Sequence, residues 1–148
     1  MTSKERVLKR EFDRGRLDAQ EVQDKSANMT GTELNAVDDR IPRFSEAVKK
    51  MNMMNRPVGF VCKSSAGRIV KLLQVYDSDV FTAEPEDLPA QWGFKWSTDP
   101  AKALPFVAIA TSPYMKDDCC VENGITYKSL IDNNVWKPSE YPAGWKPI

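Results

Sequence analysis

Two tryptophans close a repeated proline-containing phrase, and their type and spacing suggest a binding chemistry. The phrase repeats without a gap, since Pro85, Pro89, Ala90 and Trp92 match Pro138, Pro142, Ala143 and Trp145. Two prolines four residues apart stiffen a loop, because each fixes φ and removes a hydrogen-bond donor. A tryptophan held flat on such a loop can stack on the C–H face of a pyranose, a contact worth about 1 kcal/mol. The alternative is that Trp92 and Trp145 are the main core residues of two very small modules.

Residues for catalysis are scarce. The sequence contains no histidine, so it cannot build a histidine-based triad or general base. The closely spaced carboxylates are Asp77 with Asp79 and Asp117 with Asp118. A general acid needs a raised pKa in a deep cleft, which modules of about 40 residues rarely form. Phosphate-binding glycine loops and nucleophile elbows are absent from the sequence, and we predict that the protein is not an enzyme.

Metal and cofactor chemistry is also not indicated. Cys62 stands alone, and Cys119 is adjacent to Cys120, a pattern of neither a disulfide framework nor a zinc knuckle. No twelve-residue calcium loop with a closing glutamate follows Asp77 and Asp79. We therefore expect reduced, half-buried thiols on strands, no metal site and no cofactor.

The overall charge excludes further classes. Lys plus Arg and Asp plus Glu each number 21, and this balance argues against a protein that follows nucleic-acid phosphates. No run of about 18 apolar residues indicates a membrane span. The opening MTSKERVLKR lacks an apolar signal core, so we expect synthesis in the cytoplasm without a signal peptide.

The first 56 residues are charged and contain only two of the 14 aromatic residues, which predicts a helical segment. Capping patterns predict helix starts at Thr2 with Glu5, at Asp18 and at Thr30 with Glu33. Apolar residues then follow a heptad-like stripe, interrupted by Pro42, which comprises Leu34, Val37, Ile41, Phe44, Val48 and Met51. This stripe predicts a helical hairpin face or, alternatively, docking into a homo-oligomer, because 56 residues offer little core of their own.

The remaining residues predict short antiparallel strands. One hairpin is expected where Val58–Lys63 and Arg68–Gln74 flank a turn that ends at Gly67. A second is expected where Cys119–Val121 and Ile125–Leu130 flank Glu122-Asn123-Gly124. The apolar run Phe106–Ala110 is a further candidate strand.

The two hairpins precede the two proline phrases in the same order, which predicts an internal duplication. In this alignment Cys62 matches Cys119, and Lys71 matches Lys128. We therefore predict an α+β chain with three parts: a helical docking or oligomerisation segment at 1–56, a divergent β module at 57–100 and a second β module at 101–148.

The last 36 or so residues resemble the small chitin-binding-type carbohydrate-binding modules of bacterial chitinases and cellulases. The resemblance lies in Tyr114, the Asn123-Gly124 hairpin, Tyr127-Lys128, the phrase Trp136-Lys-Pro-Ser139 and Tyr141-Pro-Ala-Gly-Trp145. It implies a compact antiparallel fold that binds insoluble glycan through exposed aromatic residues. The leading tryptophan of the family is missing here, and the hairpin tyrosine is Glu122, so the fold transfers more safely than sugar binding.

The whole chain also resembles small proteins encoded among the tail genes of phages and prophages of Gram-positive bacteria. The helical opening, Pro57–Lys63 and Trp92–Pro100 carry this second resemblance. It implies a place in the virion, among other phage tail proteins, rather than an activity. The expected lack of a signal peptide fits, because phage parts are made in the bacterial cytoplasm and leave the cell by lysis.

Together these features predict a non-enzymatic phage tail or fibre component that contacts host cell-wall polysaccharide. The predicted stacking residues are Trp145, Trp136, Tyr141, Trp92 and Trp96. One alternative is a purely structural tail or baseplate protein whose modules bind other virion proteins. A third interpretation is a free intracellular protein with a protein partner.

Overall fold

Three helical segments precede two β-sheets in the computed structural model, which describes residues 19–148. The helical segments are α1 at residues 19–25, α2 at Gly31–Ala36 and α3 at Phe44–Lys50. The strands are β1 (Val61–Lys63), β2 (Ile69–Leu72), β3 (Trp92–Lys95), β4 (Leu104–Pro105), β5 (Cys119–Glu122), β6 (Ile125–Ser129) and β7 (Trp145–Pro147). This arrangement confirms the predicted α+β class. The predicted helix starts at Thr2 with Glu5 and at Asp18 lie outside the described residues.

Local sequence signals set the helix boundaries. The Thr30 side chain accepts a hydrogen bond from the Glu33 backbone N–H, and the Glu33 carboxylate accepts one from the Thr30 N–H, which completes the predicted capping box. The chain then leaves α2, passes Pro42 in extended geometry and starts α3 at Phe44. Pro42 therefore separates two short helices, because a proline cannot continue the hydrogen-bond ladder of a helix.

The apolar stripe of the helices packs on the first sheet of the same chain. Strands β1, β2 and β3 are antiparallel and adjacent in that order. Leu34 and Ile41 pack on one face of this sheet, against Val61 and Ile69. Phe44 packs on the opposite face, in the cluster that also contains Cys62, Val70, Leu72 and Trp92. The heptad-like stripe thus packs on both faces of the first sheet, except at Met51, which is 43% exposed, and the helical segment and the first β module share these two hydrophobic clusters.

Side chains cover the edges of the first sheet. The Gln23 amide donates to the Val61 carbonyl at 2.8 Å and accepts from the Val61 N–H at 2.9 Å, as a neighbouring peptide group would. At the other edge, the Phe94 N–H donates to the Ser112 hydroxyl at 2.9 Å. These bonds satisfy edge groups that would otherwise attract another strand.

The second sheet contains β4, β5, β6 and β7 in that order, with β4 parallel to β5 and the other pairs antiparallel. Asn123 and Gly124 have φ values of 52° and 78°, which is the geometry of the two-residue hairpin turn that Asn-Gly favours. The prediction of a strand at Phe106–Ala110 is wrong, because only Leu104 and Pro105 pair with β5. Val107 and Ile109 instead turn away to pack against the core of the first sheet.

The two proline phrases adopt matching hydrogen-bond patterns. The Asp87 N–H donates to the Glu84 carbonyl at 2.9 Å, and the Gln91 N–H donates to the Leu88 carbonyl at 3.1 Å. At the matching positions of the second phrase, Glu140 donates to Lys137 and Gly144 donates to Tyr141, both at 3.0 Å. Each phrase then leads into the last strand of its three-stranded antiparallel unit, so the chain builds the same supersecondary unit twice.

The hairpin alignment needs a shift of one residue. Cys62 lies opposite Val70, and Cys120 lies opposite Tyr127, while Lys71 and Lys128 retain their match. The structural counterpart of Cys62 is therefore Cys120 and not Cys119. The reason is that the turn of the first hairpin is longer than the turn of the second, whereas the sequence alignment treated the two turns as equal in length.

Candidate carbohydrate-contact surface

Trp145 lies in the core of the second sheet, with 3% of its surface exposed. Its indole N–H donates to the Trp136 carbonyl at 2.7 Å, and its ring meets Phe106 and Tyr114 edge to face. No indole face of Trp145 is therefore available to a sugar. This burial corrects the expectation that the closing tryptophan is exposed.

Trp92 occupies the equivalent position in the first sheet and is fully buried. Its indole N–H donates to the Tyr76 hydroxyl at 3.1 Å, and Phe44 and Tyr76 pack edge to face against its ring. Burial raises the pKa of Tyr76, because the ionised phenol would lose its hydration. Trp92 thus matches the alternative interpretation of the repeat, in which each tryptophan is the core residue of its module.

Trp96 is half-buried, and other rings cover both of its faces. It stacks on Phe94 with a centroid distance of 5.6 Å and on Tyr114 at 4.2 Å. Its indole N–H donates to the Ser112 carbonyl at 2.8 Å. Trp96 packs against the cores of both sheets, so it connects the two modules and offers no stacking platform.

Trp136 and Tyr141 remain at the surface and contact each other. Trp136 is 45% exposed and Tyr141 is 40% exposed. Their ring centroids lie 5.5 Å apart, and the ring planes are tilted by 34°. Of the five residues that the sequence predicted to stack on a sugar, the structure brings these two together at the surface.

Buried neighbours fix the position of this aromatic pair. Asn134 is fully buried, donates to the Gly144 carbonyl at 3.1 Å and accepts from the Trp136 N–H at 3.4 Å. Gly144 lies against the Tyr141 ring so closely that a Cβ atom would overlap it. Asn134 and Gly144 therefore hold the two rings in place, although the sequence analysis did not assign them a role. The sequence could have indicated a special role for Gly144, because the matching position of the first phrase is Gln91 and not glycine.

Polar groups border the pair. The Glu122 carboxylate accepts a hydrogen bond from the Ser139 N–H at 3.0 Å. The Lys137 ammonium group lies 3.5 Å from the Glu140 carboxylate, and both side chains are exposed. An aromatic pair with charged side chains nearby in the same loop has the composition of a site for a polar ring with apolar C–H faces.

The carboxylates considered for catalysis lie in turns. The Asp77 side chain accepts hydrogen bonds from the Asn52 amide and from the Asp79 N–H, and these bonds lower the pKa of Asp77. Asp118 accepts from the Met115 N–H at 2.8 Å, and burial raises the pKa of Asp118. These contacts give both aspartates a local structural role.

The three cysteine thiols are buried, which is a deeper position than the half-buried one that the sequence predicted. Burial raises the pKa of Cys62 well above its usual range and raises the pKa of Cys120 to about 12. A thiol with a raised pKa is a poor nucleophile, because the thiolate is the reactive form.

Three further searches returned nothing. In residues 19–148, no group of three histidine, cysteine, aspartate or glutamate side chains is placed to hold a metal ion. No helix of this described part is long and apolar enough to cross a membrane. Comparisons of the chain with protein-family models, with curated proteins and with solved structures found no match.

Proposed function

We propose that this chain is a non-enzymatic, phage tail-associated protein whose C-terminal module contacts host cell-wall glycan through Trp136 and Tyr141. The observation that carries the proposal is the exposed, mutually contacting aromatic pair. The pair lies in the part of the chain that resembles small carbohydrate-binding modules. Location in the virion rests on the second resemblance, to phage tail-region proteins.

The expected affinity of a single site is low. An aromatic contact contributes about 0.5–1.5 kcal/mol, so two such rings supply about 1–3 kcal/mol. Even with several hydrogen bonds added, a dissociation constant of about 1 mM corresponds to only about 4 kcal/mol. Many copies on one particle would raise the effective affinity of such a weak site through avidity. A tail or fibre component meets that requirement.

Retention on insoluble polysaccharide tests the proposal. The wild-type chain is mixed with chitin or with purified Gram-positive cell wall, and the unbound fraction is measured after sedimentation. We expect retention of the wild type and loss of retention in Trp136→Ala and Tyr141→Ala. Leu130→Ala is the matched control, because Leu130 is an apolar side chain of the same module with 44% exposure. The proposal fails if the wild type stays in solution with both materials, or if all variants are retained equally.

A second candidate function is a structural virion protein whose modules bind other tail proteins. Met54, Val80 and Phe81 are exposed apolar residues on two neighbouring turns. Asn52 joins these turns, since its amide donates to Asp77 at 2.9 Å and accepts from the Ser78 N–H at 3.2 Å. Such residues favour a protein contact more than a sugar contact.

Incorporation into particles separates the two candidates. A structural role predicts that Phe81→Ser reduces the amount of the chain in purified virions, while Trp136→Ala does not. Glycan contact predicts normal incorporation of Trp136→Ala and weaker adsorption of the particles to host cells.

A further inference from the structure

A polar cavity lies where the helical part, the first sheet and the second sheet meet. Its volume is about 470 Å³. The start of α3, the turn between β1 and β2, and strand β4 line it, and it is open to solvent, since Arg43, Ser45 and Ser65 are exposed. Its walls include the side chains of Arg43, Ser45, Lys63, Ser65 and Leu104. The cavity is distant in sequence from Trp136 and Tyr141, and it is independent of the function proposed for them.

The backbone places the two cations of the cavity side by side. Arg43 and Lys63 form an isolated parallel β-bridge, in which the Lys63 N–H donates to the Pro42 carbonyl at 2.9 Å. Arg43 immediately precedes α3, and Lys63 ends β1. The fold therefore holds the backbones of two cationic residues side by side, and both residues line the same cavity.

The positive charge of the cavity is not neutralised within residues 19–148. The Lys63 ammonium group donates to the Asp38 backbone carbonyl at 3.2 Å, and neither Lys63 nor Arg43 forms an ion pair with a described carboxylate. The Asp38 carboxylate also lines the cavity, but it is paired with Lys102 at 3.3 Å. The Glu84 carboxylate accepts a hydrogen bond from the Ser65 N–H, but Glu84 does not line the cavity. Arg43 and Lys63 therefore remain without an ion pair among the described residues.

The carboxylates that line the adjoining cavity do not neutralise the charges of Arg43 and Lys63. Arg43 and Lys63 also line a neighbouring cavity of about 760 Å³, together with Asp39 and Glu46. Neither Asp39 nor Glu46 forms an ion pair with the two cations. The guanidinium and the ammonium groups are thus available to an anion that enters from the side of Ser45 and Ser65.

We propose that this cavity binds the phosphate group of a sugar-sized phosphate monoester. Phosphate carries nearly two negative charges at neutral pH, which matches the two unpaired cations. Its oxygens accept from the forked guanidinium of Arg43, from the Lys63 ammonium and from the serine hydroxyls. The cavity is several times larger than a phosphate ion, so the group arrives on a carbon skeleton, for which the Leu104 side chain provides an apolar wall.

Isothermal titration calorimetry of the full chain tests the proposal with three probes: glucose 6-phosphate, inorganic phosphate and glucuronate. We expect binding of glucose 6-phosphate, weaker binding of inorganic phosphate and negligible binding of glucuronate. Higher salt should weaken the binding, because the contact is charge-assisted. Arg43→Gln and Lys63→Gln should each reduce the affinity by about tenfold or more. Lys50→Gln is the matched control, since Lys50 is an exposed lysine of α3 that does not line the cavity.

Several results would overturn the assignment. Absence of heat with both phosphate probes at about 10 mM excludes a site of useful affinity. Preference for glucuronate shows that the cavity selects a carboxylate. Equal affinity in wild type, Arg43→Gln and Lys63→Gln places the phosphate elsewhere, provided that the melting curves show all three chains folded. Trp136→Ala serves as a further control, because it should bind glucose 6-phosphate like the wild type even if it loses glycan retention.

Discussion

Replacement of Trp145 should strongly destabilise the module, whereas replacement of Trp136 should leave its stability almost unchanged. Trp145 is 3% exposed, and its indole donates the 2.7 Å hydrogen bond to the Trp136 carbonyl. Truncation of a buried tryptophan to alanine lowers the free energy of unfolding by about 3–5 kcal/mol. Trp136 is 45% exposed and keeps its backbone carbonyl in any variant, so Trp136→Ala should lower that free energy by only about 1 kcal/mol.

Guanidinium denaturation, followed by circular dichroism, measures both values. The free energy of unfolding of a typical domain is about 5–15 kcal/mol, so a loss of about 4 kcal/mol shifts the midpoint strongly. Trp92→Ala supplies an internal comparison, because Trp92 holds the equivalent buried position in the first sheet. It should lose stability to a similar extent. The reasoning is refuted if Trp145→Ala is as stable as the wild type, since an exposed indole would then be the correct description.

Three further perturbations test other contacts of the fold. Gly31→Ala should lower the free energy of unfolding by about 2 kcal/mol, because its Cβ would overlap the Trp96 carbonyl oxygen; unchanged denaturation would contradict this packing. Arg68→Met should cost about 3 kcal/mol by leaving the Glu86 carboxylate without its partner at 3.6 Å, and adding Glu86→Leu should restore most of the loss. Asp118→Asn should raise the melting temperature near pH 7. Burial raises the folded-state pKa of Asp118 above 3.8, so the charged carboxylate opposes folding. The advantage of the variant should therefore disappear as the pH falls through that pKa. A difference in melting temperature, measured by calorimetry, that does not change with pH would disprove this.

Local features of the fold were predictable from the sequence because they depend on neighbouring residues. The Thr30–Glu33 capping box and the Asn123-Gly124 turn both follow from the conformational preferences of a few consecutive residues. The break at Pro42 follows from its missing N–H. The local preference that predicts each of these features from the sequence also stabilises it in the structure.

Contacts between distant parts of the chain were not predictable in this way. The apolar stripe that begins at Leu34 has the same pattern whether it meets another chain or its own sheet, and only the tertiary structure shows that it packs on Val61 and Ile69. The pairing of the Gln23 amide with the edge of β1 spans 38 positions and leaves no sequence pattern. A turn of different length likewise shifted the match of Cys62 from Cys119 to Cys120.

The candidate site was predictable in composition but not in exposure. Spacing identified the aromatic residues, yet it could not distinguish a tryptophan that fills a core from one that lies at the surface. The two tryptophans differ in exposure because they lie in different elements. Trp145 is the first residue of β7 and lies within the sheet, while Trp136 lies in the preceding loop. Trp145 supports the exposed aromatic pair through its hydrogen bond to the Trp136 carbonyl.

The most direct test of the proposed glycan contact is an NMR titration of the four tryptophan indole N–H signals with soluble chitin or cell-wall oligosaccharides. We predict that the Trp136 signal shifts in a saturable manner, while the signals of the buried Trp92 and Trp145 stay in place. Absence of any shift at millimolar oligosaccharide, or a shift of every indole except that of Trp136, would contradict a glycan contact at this surface.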